Sequence, residues 1–501
     1  MVHITQLPAE ILHNILGFVD PSDLGTLPRT CRYLYGFVTG NSALCRDIYY
    51  RTLDEPPSSD INWEQELHDL VQLQRICSVE YGTDKRASLP FVYNTVTRLL
   101  RNASKSTPNT SRVIHSLTYP SSRNTSILTT LLTPTSLSPF LTSSFLFSRA
   151  RGTSPPTIPL SPLAHHQQSA HLHCLYGSPI LKHGRTRSSS MYPFACSKVY
   201  DLREYTDGSM WGPFWNDGSG RVDWEKVEAI LMVVGGNIRG KGLEGFPVFE
   251  NFWGRGWGGS WEGSYIPWPG VQAQEEEGDA EGEGSDGGDA EGENRDGEGS
   301  GGKEHIRSLR ERDPFGVSGT WLRVVCFLDY NDFFNYNFPV ADEIPANVPR
   351  PALDVGEAIR LILMKIHVTK IEQSETDSPI VHFKGFSRSL DGSWDDNANS
   401  DLRGWYLRGT AQYTPEGEVR WTTYSIFSGE ERWKSEGIQI GGARSARGVV
   451  GTWFDKDYDP HGPCGPTAFW KISDRDAKAD DKQFLLHDFL PIGGSSKTED
   501  H

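Results

Sequence analysis

The sequence predicts an α+β protein of several domains, with long disordered insertions. We expect an N-terminal unit of three helices, a helical linker and a mostly antiparallel β domain of barrel or sandwich type. Three observations predict this architecture. Apolar residues recur three and four positions apart before residue 50, as on one side of a helix. Short segments after residue 318 alternate apolar and polar residues between turns. Two segments of biased composition interrupt these patterns.

The first 50 residues carry the most specific pattern in the chain. Asp20-Pro21 interrupts an apolar helical stretch, because proline lacks the N–H that a helix needs, and Ser22 or Asp23 can cap a second helix. The ordered motif is Leu7-Pro8-x-Glu10-Ile11, Ile15-Leu16, Pro21-x-Asp23-Leu24 and Cys31-Arg32-x-Leu34. A unit of this size is near the lower limit for folding alone and is expected to bury its remaining surface against something else.

This motif resembles the F-box, whose family members are substrate receptors of SCF ubiquitin ligases and dock on the adaptor Skp1. The resemblance implies that Skp1, and through it a cullin, are partners of this chain. It also implies a set of Skp1-binding residues, namely Leu7, Pro8, Ile11, Leu12, Ile15, Leu16, Val19 and Leu24.

The chain divides into five parts by composition. They are the F-box at 1–50, a helical linker at 51–102 with one amphipathic helix near 62–81, a Ser/Thr/Pro-rich disordered segment at 103–165, a β-rich recognition domain at 166–474 that contains an acidic Gly-rich disordered loop at 272–304, and a disordered tail at 475–501. The segment at 103–165 departs from the usual layout of the family. It is either an aberrant insertion or a phosphorylation platform.

The β-rich part predicts strands at 171–176, 227–234, 319–328, 367–372, 381–386, 405–414, 420–427, 436–440, 449–454 and 467–472, and a helix at 358–365 capped by Asp354. From residue 315 onward, the segments VSGTWLRVVCFLDYNDFFNYNF, EVRWTTYSIFSGEERWKSEGIQIGG and GTWFDKDYDPHGPCGPTAFWKI resemble a β-rich module found behind the F-box in many filamentous-fungal proteins. A fainter similarity connects it with the cyclin-D1-binding domain of F-box-only-31-type receptors.

Charge, hydropathy and cysteine content limit the partners and the cellular compartment that we expect. The formal net charge is −16, and residues 275–304 hold 13 acidic against two basic residues, so −11 of it is local. The rest is only mildly acidic, and we expect no nucleic-acid surface. No window has the roughly 20 apolar residues that a membrane helix needs. The seven scattered cysteines and the absence of a signal-like leader favour free thiols in the cytoplasm, the nucleus or both.

Sequence motifs for nucleotide binding, metal binding or catalysis are weak in this chain. Residues 235–241 begin like a phosphate-binding P-loop, but Gly242 stands where a hydroxyl should bind Mg²⁺, so a glycine-rich hairpin is the better interpretation. His171, His173 and Cys174, or His461 with Cys464, lack the four-ligand spacing of a zinc site. We therefore expect a non-catalytic protein without metal or cofactor.

Substrate recognition is predicted where strands of the β domain end in turn-rich loops. Arg444, Arg447, Asp457, Tyr458 and His461 place both charge signs beside aromatic residues, a composition suited to anchoring a peptide. In this hypothesis they share one rim, while Trp453 and Trp470 hold the scaffold.

The function predicted from the sequence is that of a substrate-recognition subunit of an SCF ubiquitin ligase. Two alternatives stay open. One is an enzyme or small-ligand binder with a barrel-like domain and an incidental helical N-terminus, and the other is an F-box protein with a non-proteolytic, Skp1-dependent role.

Overall fold

The computed structural model describes residues 4–58, 60–78, 85–105, 122–154, 157–158, 161–177, 191–249, 256–266, 309–339, 344–374, 378–390 and 405–474. Helices fill most of the described chain up to residue 249, and a closed antiparallel barrel follows from residue 319. The acidic loop predicted at 272–304 and the tail predicted at 475–501 lie outside the described residues. No described helix is both long enough and apolar enough to cross a lipid bilayer.

The helical unit predicted at the N-terminus is confirmed, and it contains four α-helices where three were predicted. The α-helices of the described chain are α1 (Ala9–Leu16), α2 (Pro21–Leu24), α3 (Arg32–Val38), α4 (Ser42–Thr52), α5 (Trp63–Ser78), α6 (Leu89–Arg101), α7 (Arg123–Leu131), α8 (Pro134–Leu141), α9 (Phe145–Ala150), α10 (Ala164–Tyr176), α11 (Tyr192–Tyr200), α12 (Trp224–Gly240) and α13 (Tyr330–Asn337). The predicted break at Asp20-Pro21 is present, but the predicted cap at Ser22 or Asp23 is wrong: α2 begins at Pro21, and its cap is Asp20, whose carboxylate accepts the Ser22 N–H at 2.8 Å. Helix α5 confirms the amphipathic helix predicted near 62–81.

The expectation that residues 103–165 are disordered is wrong for their described part, which contains α7, α8 and α9. Leu128, Leu137 and Phe140 are fully buried there. The composition was misleading because hydroxyl residues serve as helix caps. Ser122 accepts a backbone hydrogen bond at the start of α7, and Thr133 does so at the start of α8.

A buried carboxylate fastens this segment to the N-terminal unit. Asp54, just after α4, accepts hydrogen bonds from the Ser122 hydroxyl at 2.5 Å and from the backbone N–H of Arg123 at 3.0 Å. Asn124 reciprocates, because its side-chain oxygen accepts the Asp54 N–H at 2.9 Å. The start of α7 is therefore part of the same packed body as α4.

The strands predicted at 171–176 and 227–234 are also wrong, since these residues lie in α10 and α12. Both helices are buried almost all round, so neither sequence shows the one-sided apolar face of a surface helix. Residues 171–176 of α10 alternate polar and apolar side chains, and residues 227–234 of α12 are mostly apolar. The glycine-rich run expected as a hairpin forms the last turns of α12. There Gly236 admits the Tyr192 ring, which would stand 2.4 Å from a Cβ at this position.

The antiparallel β domain is confirmed and is a closed barrel. Its strands are β1 (Gly319–Leu328), β2 (Glu357–Gln373), β3 (Pro379–Ser389), β4 (Trp405–Tyr413), β5 (Val419–Phe427), β6 (Glu430–Gln439), β7 (Val449–Asp455) and β8 (Cys464–Ser473). Each strand pairs with the next along the chain, and β8 pairs with β1 to close the ring. The β-rich domain predicted for 166–474 therefore has its strands only after residue 318 in the described chain.

The helix predicted at 358–365 is wrong, because these residues form the first half of β2 opposite β1. Strand β2 has apolar residues on both faces. Met364 points into the barrel core, while its neighbours Leu361 and Leu363 belong to the core shared with the helices. A strand covered on both sides loses the alternation by which strands are recognised.

Two apolar layers meet at the barrel wall. Inside, the rings of Trp321, Trp421 and Phe469 pack edge to face with centroids 5.0 to 5.7 Å apart. Outside, Val324 and Trp470 join the core of the helical layer, and the Trp470 indole donates to the Val248 carbonyl at 2.7 Å. The helices therefore cover the outer face of β1 and β8.

We predict that Phe140→Ala lowers the free energy of unfolding by about 3–5 kcal/mol, because it opens a cavity in a fully buried site. Denaturant unfolding of the full chain measures this change. Thr130→Ala on the exposed side of α7 is the control and should stay within about 0.5 kcal/mol of wild type. An unchanged midpoint for Phe140→Ala would mean that α8 does not pack as described.

Candidate partner-binding surface

Helix α1 has two different apolar faces. Leu12 and Leu16 point into the N-terminal core and are 0% and 3% exposed. Ile11 and Ile15 are 47% and 44% exposed, and Phe18, just beyond the helix, is 79% exposed. Residues 11, 15 and 18 are separated by four and three positions, the spacing of one helical face. We call Ile11, Ile15 and Phe18 the α1 stripe.

Contacts with α4 hold the α1 stripe in place without covering it. The Arg51 guanidinium of α4 lies 3.8 Å from the centroid of the Phe18 ring. His13, on the flank of α1, donates from Nε2 to Asp47 of α4 at 2.9 Å, and this hydrogen bond lowers the pKa of the Asp47 carboxyl. These contacts fix the orientation of α1 and leave its apolar stripe open to a partner.

The eight residues predicted to bind Skp1 do not share one surface. Ile11 and Ile15 are exposed, and so is Pro8, which precedes the first turn of α1. Leu7, Val19 and Leu24 are half-buried. Leu12 and Leu16 are part of the core, so the expectation that they contact a partner is wrong. Their burial holds the domain together instead.

Phe18 is the surface residue that the sequence analysis missed. It lies three positions after Ile15, so the helical spacing was a usable signal. The sequence spacing places Ile11, Leu12, Ile15, Leu16 and Val19 together on one side of a helix. In the structure, this apolar arc is wide enough to contain both the buried face and the exposed stripe.

The predicted substrate-binding residues lie at opposite ends of the barrel. Arg444 and Arg447 follow β6, whereas Asp457, Tyr458 and His461 follow β7. Successive connections in an antiparallel barrel alternate between its two ends, so β7 separates the two groups. The hypothesis of one shared rim is therefore wrong. We call the end that carries the β7–β8 connection the mouth end and the other the Arg444 end.

Arg447 is a buried structural residue. It is 3% exposed, and its Nε donates to the Ser260 hydroxyl at 2.9 Å while another guanidinium nitrogen donates to the Tyr176 carbonyl at 3.2 Å. Arg444 remains at the surface with a positive φ of 55°, and its guanidinium donates to the Asp313 carbonyl. Arg447 thus joins the helical layer to the barrel and cannot touch a bound peptide.

The other three residues do form a surface at the mouth end. Asp457 is exposed, and Tyr458 packs against Trp211 and accepts a hydrogen bond on its hydroxyl oxygen from Lys434 at 2.8 Å. The His461 ring stacks on Phe338 with centroids 4.9 Å apart. Trp453 and Trp470 are both buried, as their predicted scaffold role requires.

Comparison with known families gives one match. Residues 4–51 match the family model described as F-box-like, the region that contains α1 to α4 and the α1 stripe. No curated protein matches the chain, and no solved structure matches it. The match supports an adaptor-type protein that binds Skp1.

We predict that Arg447→Ala lowers the free energy of unfolding by about 2–3 kcal/mol, since hydrogen bonds from a buried charged group are lost. Chemical denaturation monitors the change. Arg432→Ala, at an exposed position on β6, should shift it by about 0.5 kcal/mol or less. Equal stabilities of the two variants would contradict the structural role of Arg447 and make it a candidate contact residue again.

Proposed function

Because the chain carries an F-box-like domain at residues 4–51, we propose that it is the substrate-recognition subunit of an SCF-type ubiquitin ligase. In this proposal, the domain binds Skp1 and, through it, a cullin. The barrel captures a target protein. A Skp1-bound adaptor of this kind acts in the cytoplasm or the nucleus, and its seven free cysteines suit a reducing compartment.

The observation that carries the proposal is the exposure of the α1 stripe inside the F-box-like domain. Exposed large apolar side chains that adjoin one another are a common property of protein-binding surfaces. Tyr33 and Tyr35 on α3 add exposed aromatic rings to the same small domain. Covering this surface with an apolar partner would supply a hydrophobic driving force for docking.

A second group of exposed apolar residues supports target binding at the mouth end. Five side chains there are large, apolar and exposed: Tyr330, Phe334, Tyr406, Phe427 and Tyr458. They come from α13, from the start of β4, from the end of β5 and from the β7–β8 connection, all of which meet at this end. Asp457 and His461 add polar groups beside them. Aromatic anchors with a polar rim are typical of protein recognition sites.

The proposed mechanism is proximity and needs no bond chemistry from this chain. An adaptor that holds the target beside the ubiquitin-carrying enzyme raises the local concentration of target lysines. One continuous apolar core runs from Leu12 in α1 to Ile472 in β8. A continuous core between the two binding surfaces would keep the distance between them constant, which suits this role.

We predict that Ile15→Asp with Phe18→Asp weakens Skp1 binding at least about a hundredfold. An unpaired carboxylate buried in an apolar interface costs several kcal/mol, and about 1.4 kcal/mol corresponds to a factor of ten. Titration calorimetry of purified full-length chain with purified Skp1 measures the Kd. Both side chains are exposed, so the thermal midpoint should stay within a few degrees of wild type.

Tyr413→Asp is the matched control, since it places a carboxylate on an exposed apolar side chain at the Arg444 end of the barrel. Its Skp1 affinity should equal that of wild type. Unchanged Skp1 binding by the α1 double variant would refute the proposal. Skp1 binding with no ubiquitylated protein captured when the proteasome is blocked would favour the non-proteolytic alternative.

A further inference from the structure

A layer of aromatic rings inside the barrel separates its Arg444 end from a cavity nearer the mouth end. Towards the Arg444 end, the rings of Trp321, Trp421 and Phe469 fill the space between the strands. Towards the mouth end, the strands enclose a cavity of about 220 Å³. Its apolar wall is formed by Val325, Phe327, Ile362, Leu407, Trp433 and Trp453.

A buried arginine lines this cavity. Arg323 lies on β1 between Trp321 and Val325 on the inward face and is 6% exposed. Its Nε donates to the Thr467 hydroxyl at 2.9 Å, and a terminal nitrogen donates to the Ser435 hydroxyl at 2.5 Å. Within the described chain, Arg323 forms no ion pair with any carboxylate.

Burial is the cause of an altered pKa at this position. It lowers the pKa of the Arg323 guanidinium to about 10, with no compensating effect from an acidic neighbour. The side chain is therefore still charged at neutral pH. Two neutral hydroxyl groups compensate poorly for a buried cation, which normally has an anionic partner.

A second polar group in the cavity is also incompletely compensated. Thr423, on the inward face of β5, is 4% exposed, and its hydroxyl oxygen has no hydrogen-bond partner among the described residues. The same cavity is lined by Arg323 and Thr423. A buried hydroxyl left without a hydrogen bond costs free energy, so both groups favour a ligand that accepts hydrogen bonds.

The rest of the cavity favours an apolar body on that ligand. The indole rings of Trp433 and Trp453 meet edge to face at 5.2 Å and present flat apolar surface. An apolar cavity of about 150 Å³ is large enough to hold benzene. The space here therefore suits a single ring or a short chain together with a carboxylate. Arg360, exposed and also lining the cavity, adds a positive charge that attracts an anion.

We propose that the barrel binds a small monocarboxylic acid with an apolar body. The carboxylate accepts hydrogen bonds from the Arg323 guanidinium and the Thr423 hydroxyl, and the apolar part lies against Trp433 and Trp453. This site is independent of the F-box-like domain and of Skp1 binding. With this site, the exposed apolar residues of the mouth end surround a ligand cavity.

The test uses the full-length chain and matched pairs of probes. Octanoate and 3-phenylpropionate are compared with their uncharged primary amides, which keep the apolar body and remove the negative charge. Tryptophan fluorescence and titration calorimetry follow binding. We expect saturable binding of at least one acid, an increase in the thermal midpoint with acid concentration, and at least tenfold weaker binding of its amide.

Arg323→Met is the first variant, and it should lose acid binding. Its stability should equal or exceed that of wild type, because a buried cation without an anionic partner is replaced by an apolar side chain. Thr423→Val is the second variant. It removes a buried hydroxyl that has no hydrogen-bond partner among the described residues, so the protein should still fold. Acid binding should weaken several-fold, because the carboxylate loses one hydrogen-bond donor. Arg408→Met, on the outer surface of β4, is the control and should bind like wild type.

Three results would overturn the proposal. They are the absence of saturable binding of any acid probe, equal affinity for the acid and its amide, and unchanged acid affinity in Thr423→Val and Arg323→Met. None of them depends on Skp1, so failure of this proposal leaves the proposed adaptor function standing, and the reverse also holds.

Discussion

The architecture depends on the burial of α12 against the outer wall of the barrel. Thirteen of its 17 residues are buried, because α10 and α11 cover it on one side and strands β1, β7 and β8 on the other.

Such a helix has no face left for water, and its few polar groups are paired within the protein. Glu228 accepts hydrogen bonds from His173 of α10 at 2.5 Å and from the Ser144 hydroxyl at 2.7 Å. Lys226 donates to the Glu204 carbonyl at 2.8 Å, and burial lowers its pKa to about 8. Without this helix, neither the helical layer nor the barrel wall would have its apolar surface covered.

This shared core relates the two exposed apolar surfaces to each other. The α1 stripe lies at the start of the chain, and the mouth end of the barrel lies more than 300 residues later. The packed helices between them, including α7 to α9 anchored through Asp54, leave no break in the apolar core. For an adaptor that works by proximity, such a spacer has a clear physical advantage. A rigid connection limits the volume that the target explores, and the effective concentration at the reacting end rises accordingly.

The barrel combines two uses of a closed sheet. Closure removes the free strand edges that would otherwise invite pairing with other chains. The space inside is then filled or left open by the side chains that point inward. Here indole and phenyl rings pack together towards the Arg444 end, whereas Ser387, Thr423 and Ser425 are among the side chains that line the cavity nearer the mouth. Arg323 adds a buried cation to this mixture of apolar and hydroxyl-bearing side chains. A buried polar group without a hydrogen-bond partner costs folding free energy, and a bound ligand can supply that partner.

The sequence by itself determined the features that depend on neighbouring residues. The proline break after α1, the F-box-like motif and most strands after residue 318 all have local signals. Segments covered on both sides gave the wrong signal, as in α10, α12 and β2, because complete burial removes the period that identifies an element.

Tertiary structure alone decided which apolar residues of α1 face the core and which form the stripe. It also decided that Arg447 is buried, whereas Tyr458 lies at the other end of the barrel. Strand alternation places Arg323 on the same face of β1 as Trp321 and Val325, but only the tertiary structure decides that it lines one cavity with Thr423. That shared cavity depends on strand register and barrel closure, which bring together residues 100 positions apart and which no local pattern encodes.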